Sequence, residues 1–437
     1  MPKYLENTET PLLLEDHLRS ILGQCSAPAP LHLPIQDAAT RGLILAEDVH
    51  AKLNVPPFPN SAVDGYLCRR ADLSELPCSL VVDGDIPAGA YLNEASEPSA
   101  PAPAAGHAYR IMTGAPAPAN PAEFCVIPVE HTDQPRGPQP LPKQVEIRAF
   151  DPERPHIRAT GDDTKVGTLL CEKGSRLDSG ALAALISTGV NEVAVYPRPR
   201  VAVVSSGDEL VAPGVSPKPG QLPDSNGPMV AAIVADHARS IEVLHVADSP
   251  EDLRDLLDEL VQRVDLIITT GGVSAGAYDV VRMVGSTADI RFYPVAMQPG
   301  KPQGAGRWRG PDSAAEAQLL CLPGNPVAAF CSAYLFAVPA LEALSGANPS
   351  TEPYVAGTVP AIADAPIPAP REGWARVVPL HVTVGNQLLV SPFAPGGRGS
   401  HRVASLSGVG ALAVLASGSS QVEAGDIIPV RLLRLPQ

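Results

Sequence analysis

Residues 264–279, VDLIITTGGVSAGAYD, constrain the fold more than any other stretch of the chain. A short apolar run (Leu266, Ile267, Ile268) leads through Thr269 and Thr270 into Gly271 and Gly272. Apolar, β-branched runs closed by glycines read as a buried parallel strand leaving its sheet. In open α/β sheets, ligands bind just beyond the carboxyl ends of such strands. Paired glycines turn backbone N–H groups outward into an anion-binding nest. Ser274 and Gly276 continue the loop, and Asp279 stands where a helix is expected to begin. A plain strand-to-helix turn uses the same glycines, so the neighbouring segments have to decide between the two uses.

Those neighbours alternate between strand and helix. RVAVVSS (200–206) is a strand followed by Gly207-Asp208-Glu209-Leu210, and 226–238 is a helix. IEVLHV (241–246) is a strand ending at Asp248, and Ser249-Pro250 caps the next helix. After 265–270 and a β excursion, QLLCLPGNPVAAF gives a last strand, a loop at Pro323, Gly324, Asn325 and Pro326, and a long helix to about 344. Such alternation builds a parallel sheet covered by helices on both faces. Right-handed crossovers then put Asp208, Glu209, Asp248, 271–279 and 323–326 on one edge.

Upstream, Thr10-Pro11 reads as an N-cap and N1 pair, with Leu14, Leu18, Ile21 and Leu22 on one helical face. Residues 34–50 read as a second short helix running into a strand. The loop 54–66, NVPPFPNSAVDGY, is stiffened by Pro56, Pro57 and Pro59 and ends on a turn pair, Asp64-Gly65. Residues 67–150 alternate short β runs with turns and place Thr113-Gly114 at a strand end. Two inserts, 93–106 and 132–143, read as flexible surface loops from their composition. Residues 178–189 form a capped helix closed by Gly189. The tail, 353–437, holds only short alternating runs, two of which flank Gly385-Asn386 as a hairpin. It reads as an all-β, barrel-like domain.

The 437 residues are too many for one core. Two to four domains are expected, and the segments above divide as a discontinuous N-terminal helical or mixed domain (1–52 plus 151–198), an inserted small β domain (53–150), a parallel-sheet α/β domain (199–346) and a C-terminal β domain (353–437). A net charge of −15 argues against general nucleic-acid binding. No stretch reads as membrane-spanning, the first residues carry no signal-peptide core, and seven scattered cysteines read as reduced thiols of a cytoplasmic protein.

Glycine loops, small hydroxyls and Lys301 suit phosphate or another oxyanion. Carboxylates beside bound phosphate suggest Mg²⁺, which takes one or two of them plus phosphate oxygens and water. No Ser-His-Asp set, Gly-x-Ser-x-Gly elbow or P-loop motif is present. Several residues also have plainer uses. Asp248 and Asp224 suit helix N-terminal carboxylates worth about 0.3–1 kcal/mol each, and Lys301 suits a solvated turn.

PPFPNSAVDGY, RIMTGAPAP, SSGDEL, DSN, TTGGVSAGAYD, QPGKP and LPGNPVAAF occur in this order. Over roughly 10–437 the chain resembles the molybdopterin molybdenumtransferases, the family that includes the gephyrin E domain. The resemblance implies insertion of molybdate into adenylylated molybdopterin with release of AMP, assisted by Mg²⁺. It also implies a homodimer whose cleft lies between the α/β domain of one subunit and the β domain of the other. It assigns Gly271, Gly272, Ser274, Gly276, Pro323, Gly324, Asn325 and Pro326 to the pterin phosphate and nucleotide, and Asp248 and Asp279 to the metal. Glu209 matches the acidic residue of its motif. Asp64 and Thr113 match residues reaching in from the partner subunit, and Lys301, Arg376 and Ser400 match molybdate-binding positions. The molybdopterin adenylyltransferase is a candidate partner. Gln298 stands where relatives commonly carry lysine, and Arg282 where they often do. Two other readings stand beside this one, adenylylation of molybdopterin and a gephyrin-like scaffold. The first needs only the α/β fold, and the second needs regions outside this core.

Overall fold

The structure is a computed structural model. It describes residues 10–89, 101–118, 120, 122–273, 279–285, 289–311, 315–394 and 399–433. Most of the insert at 93–106 lies outside them. The chain forms two compact units, Met1–Leu31 with Tyr196–Gln437, and His32–Val195.

In the first unit, a six-stranded sheet runs in the order Ser240–Val246, Arg200–Ser206, Leu266–Thr270, Glu316–Leu322, Pro302–Arg309, Asp289–Pro294. The first four strands are parallel. The β excursion of the sequence adds the last two antiparallel, so the sheet is mixed. Alternate residues of the central strands feed two cores. Val203, Ile268 and Leu320 join one, with Leu14, Leu18, Val230 and Phe336. Val204, Ile267 and Leu319 join the other, with Leu253 and Leu257. This two-sided burial is why the strands are apolar throughout.

Helix Leu14–Leu22 packs in the first of these cores. Thr10-Pro11 does not open it. Leu12 is extended, donating its N–H to Pro294 O and accepting from Ala296 N, both at 2.8 Å, and the helix begins two residues later without a side-chain cap. Pro326–Leu344 is, by length and composition, apolar enough to cross a membrane, contrary to the sequence reading. Its apolar residues are instead core, with Ala329, Cys331, Phe336, Ala340 and Leu341 fully buried. Pro339 lacks the N–H that would bond back to Leu335, and the helix passes through a π-turn at Ala333–Ala337 just before it.

The C-terminal strands close a barrel. Ala375–Val384 pairs with Leu388–Pro392 on one side and Val409–Leu415 on the other, with Val359–Ala363 and Ile427–Leu432 completing the ring. Val378, Leu380, Val390 and Ala413 fill one core there. Val377, Leu412 and Val414 belong instead to the core shared with the α/β sheet.

The second unit carries a five-stranded sheet ordered Phe124–Pro128, Gly65–Arg69, His107–Ile111, Cys78–Ile86, Gln144–Ile147. Gly65 is not a turn residue. It opens a buried strand, and a Cβ there would meet Ile127 O at 2.0 Å. Close packing on the neighbouring strand, rather than backbone conformation, is what requires glycine. The helix expected within 34–50 is only a 3-10 turn, Ala38–Thr40, ended by Gly42 at φ 72° before two short strands. Asp178 caps helix Ser179–Ser187, as read.

His17 is 1% exposed and stands edge-on to Phe336 at 4.8 Å, with Nδ1 unbonded. Burial lowers its pKa to about 4. The unfolded chain therefore binds a proton here that the folded chain refuses. Stability from this site is complete above about pH 6.5 and is lost as pH falls toward 4. Both tryptophans, Trp308 and Trp374, lie in the same unit. Urea unfolding followed by their fluorescence should lose about 3 kcal/mol between pH 7 and 4 through this group. His17→Leu should flatten that part of the slope, and an unchanged slope would mean that other groups carry it.

Candidate functional site

Parallel register brings the strand ends level, with Ser205 opposite Thr270 and Thr270 opposite Leu322. The loops that follow line a cleft of about 1120 Å³, roomy for a small-molecule site. Gly271 and Gly272 leave the central strand at φ 94° and 63°. A Cβ on Gly271 would come 2.9 Å from Ser206 O, so conformation and space both demand glycine. Gly324 of the Pro323–Pro326 loop lies against Gly271, and Asn226 Nδ2 donates to Gly324 O at 2.7 Å. Ser274 and Gly276 lie outside the described residues.

The carboxylates divide by their partners. Asp224 is 8% exposed and lines the cleft, but it accepts from Gly227 N at 3.1 Å at the start of helix Asn226–Val234, the helix-start use. Asp248 is spared that use, because Ser249 Oγ takes the Asp252 N–H of the same helix. Instead Asp248 Oδ1 accepts from Ser206 Oγ at 3.0 Å and Oδ2 from Asp208 N at 3.3 Å. Asp208 Oδ1 in return accepts from Asp248 N at 3.0 Å. Two adjacent loops are thereby clamped, with Asp248 and Asp279 both on the cleft wall. Glu209 also lines it, its carboxylate folded over Gly207 where a Cβ would sit 2.6 Å from Oε2.

The same cleft gathers the oxyanion candidates. Gln298, Lys301, Arg376 and Ser400 all line the cleft. Met297–Gln298 pairs in parallel with Ala375–Arg376, which sets Gln298 beside Arg376. Arg376 is 6% exposed, and Lys301 is exposed. Ser400 O accepts from Val327 N at 3.1 Å, at the start of the Pro326–Ser332 helix. Arg282 is not on the cleft and lies over the Phe292 ring at 5.9 Å. Burial pushes the Cys321 thiol up to about 12, so this strand thiol is no nucleophile at neutral pH.

In the other unit, Asp64 and Thr113 meet although they are 49 residues apart. Asp64 Oδ1 accepts from Thr113 N at 2.7 Å and from Thr113 Oγ1 at 2.9 Å. Both residues are exposed. Sequence reasoning passed over Ser206, Asn226, Phe393 and His401, which also line the cleft. Ser206 sits inside the quoted SSGDEL motif. Its position at a parallel strand end was the available signal.

Residues 12–189 match the family model of the MoeA N-terminal region, domains I and II, and residues 202–343 that of a probable molybdopterin binding domain. Molybdopterin molybdenumtransferase 2 of Mycobacterium tuberculosis is 38% identical over 345 residues, covering 76% of this chain and 80% of that protein. The chain belongs to the molybdopterin molybdenumtransferase family. The Nostoc molybdopterin molybdenumtransferase is 34% identical over 322 residues, covering 72% of this chain and 70% of that one. A molybdopterin biosynthesis MoeA protein from Pyrococcus horikosii superposes with a TM-score of 0.73 at 26% identity, covering 97% of this chain and 100% of that one. Members of this family are transferases, and the chain is an enzyme.

Gly271→Ala tests the glycine loop. Forcing a Cβ to a positive φ beside Ser206 O should cost about 1–2 kcal/mol locally. AMP binding, followed by calorimetric titration, should weaken at least about tenfold while the melting temperature moves by only a few degrees. Unchanged AMP affinity would place the phosphate elsewhere.

Proposed function

We propose that the chain inserts molybdenum in molybdenum cofactor biosynthesis, transferring molybdate into adenylylated molybdopterin with release of AMP. One observation carries this reading: the glycine loops, the clamped carboxylate and the oxyanion residues open onto a single cleft. Gly271 N donates to Leu322 O at 3.1 Å, so the glycine pair offers the Gly272 N–H, rather than both, to phosphate oxygens. Lys301, Arg376 and the Ser400 hydroxyl suit a tetrahedral dianion that must shed its water. Arg376 and Ser400 come from the C-terminal β domain, outside the α/β fold. Adenylylation of molybdopterin needs nothing from there, which weighs against that alternative.

Magnesium fits the donors on the wall. Among the described residues no group of three or more His, Cys, Asp or Glu could hold a metal. Two carboxylates are what Mg²⁺ takes when substrate phosphates and water complete its octahedron. Asp248 has one bond at each oxygen and lone pairs to spare. In this reading Asp248 and Asp279 hold the ion, which neutralises phosphate charge when bound. Asp279→Asn should abolish AMP release in a chain that still folds, measured on adenylylated molybdopterin with molybdate at saturating Mg²⁺. An undiminished rate removes Asp279 from the metal site.

In this reading the working unit is a homodimer, with the cleft completed by the partner subunit's Asp64 and the partner subunit's Thr113. Asp64 is exposed and both of its side-chain bonds to Thr113 are at Oδ1, which leaves Oδ2 to accept from a ligand. Mixing inactive Asp64→Ala and Asp279→Ala chains should restore part of the activity, because one composite cleft in the heterodimer is intact. Failure to complement, with subunit exchange demonstrated, places the cleft within one chain.

Gln298 offers molybdate a neutral amide where a lysine would offer charge. Hydrogen bonds to a charged group contribute about 1.5–3 kcal/mol against about 1 for a neutral pair. Gln298→Lys should therefore tighten molybdate binding roughly fivefold, and Lys301→Ala should weaken it far more. Both titrations belong at one fixed ionic strength, since salt screens the difference. Weaker binding by Gln298→Lys, or none lost by Lys301→Ala, moves the oxyanion site off this loop.

A further inference from the structure

The strand that follows Lys301 begins at Pro302, and its second residue, Gln303, is 1% exposed. Gln303 Nε2 donates to Gly300 O at 2.8 Å and to Ser332 Oγ at 2.7 Å. A carbonyl oxygen only accepts, so the amide nitrogen must face Gly300 and both of its hydrogens are committed. Gly300 has φ 112°, and a Cβ there would stand 3.3 Å from both Gln303 Nε2 and Ser332 Oγ. The three groups are packed as closely as a glycine allows. Ser332 is fully buried and ends the helical segment Pro326–Ser332, whose first residues line the cleft. Neither Gln303 nor Ser332 lines it.

One buried amide thus ties the loop bearing Gln298 and Lys301 to the helix that opens beside Pro326. Two other restraints act on that loop. Val295 N donates to Lys301 O at 2.7 Å, and Gln298 is paired with Arg376. Gly300, between them, is held by Gln303. A core position that needed only filling is filled at lower cost by an apolar side chain, because a buried amide must find partners for its polar atoms. Here both donors go to the two cleft-forming elements.

We infer that Gln303 is a positioning residue for oxyanion capture: it fixes the Lys301 loop against the Pro326–Ser332 helix without touching substrate. The inference rests on the reading of Lys301 as a molybdate-binding residue. It predicts a selective defect. Loosening the loop displaces Lys301 from the anion but leaves the glycine loops and the nucleotide side in place.

The test uses the full chain and Gln303→Met, which keeps volume and removes both donors. Molybdate affinity is read by equilibrium dialysis, molybdate KM and kcat at saturating adenylylated molybdopterin, and AMP affinity by calorimetry. Gln303→Met should raise the molybdate Kd and KM roughly tenfold, the scale of a sub-ångström misplacement, with AMP affinity within about twofold. Ser332→Ala removes one of the two contacts and should give a smaller change in the same direction. It carries the test alone if Gln303→Met does not fold. In a Lys301→Ala background the Gln303→Met effect should shrink to under about twofold, because a residue acting through Lys301 has nothing left to position. The inference is overturned if melting temperature falls while molybdate Kd and KM hold. It is equally overturned if AMP and molybdate affinities fall together, or if the tenfold loss persists without Lys301. Wild type and Lys301→Ala with equal molybdate affinity would overturn the Lys301 reading itself, a result distinct from all of these.

Discussion

The cleft depends on the parallel pairing of Leu266–Thr270 with Arg200–Ser206 on one side and Glu316–Leu322 on the other. Because the three strands run level, Ser206, Gly271 and Pro323 leave the sheet at one height. The register is held by two-sided burial. Val203, Ile268 and Leu320 face one core, and Val204, Ile267 and Leu319 the other. A slip of one residue would exchange the faces of a whole strand and separate the loops. At the crossing, Gly271 has no room for a side chain against Ser206 O, and Gly324 packs on Gly271 itself. Side-chain bonds then clamp the loops to each other, Ser206 to Asp248, Asp208 to Asp248 and Asn226 to Gly324.

The cationic wall is built differently. It is reached through a two-residue strand, Met297–Gln298, added to the edge of the barrel at Ala375–Arg376. So short a pairing contributes little by itself. It is supported by the hydrophobic core that Met297, Ala375, Val377, Leu412 and Val414 share with the α/β sheet. Barrel and sheet therefore present one surface to the cleft. The Val327 N–H to Ser400 O bond ties Ser400 to the start of the helix that opens at Pro326.

Much of this was legible in the sequence. The strand Arg200–Ser206 carries the bounds read for it, and the serine and proline before Glu251 cap their helix as expected. Buried parallel strands and capped helices announce themselves in composition, because one face or both must be apolar and a cap needs a particular side chain. Long-range competition is not announced. Thr10-Pro11 has the residues of a helix start, but Leu12 pairs with the segment around Val295 instead. The helix Pro326–Leu344 was read to its end at about 344, but the π-turn at Ala333–Ala337, just before Pro339, was not. Gly65 looked like a turn glycine because sequence shows a missing Cβ without showing which constraint removed it. Most of the cleft residues were found through motif order, whereas Gln303, which lies behind the cleft lining, was not. A lone glutamine early in a strand carries no local signal, and its significance lies in two partners at different sequence distances.

In the proposed reading, charge sets what the residues assigned to the oxyanion must do. The chain carries a net −15, which taken alone would repel a dianion. At physiological ionic strength the screening length is about 8 Å. Distant carboxylates are therefore muted, and only groups on the cleft wall act at full strength. Capture falls to the few donors within that radius. Arg376 is buried beside Gln298, and low polarity around it strengthens whatever it binds. Lys301 is exposed, so its contribution is screened unless its loop holds it against the ligand. On that reading, placement of the loop matters more than it would in a site with a second lysine, and placement is the role inferred for the buried Gln303 amide.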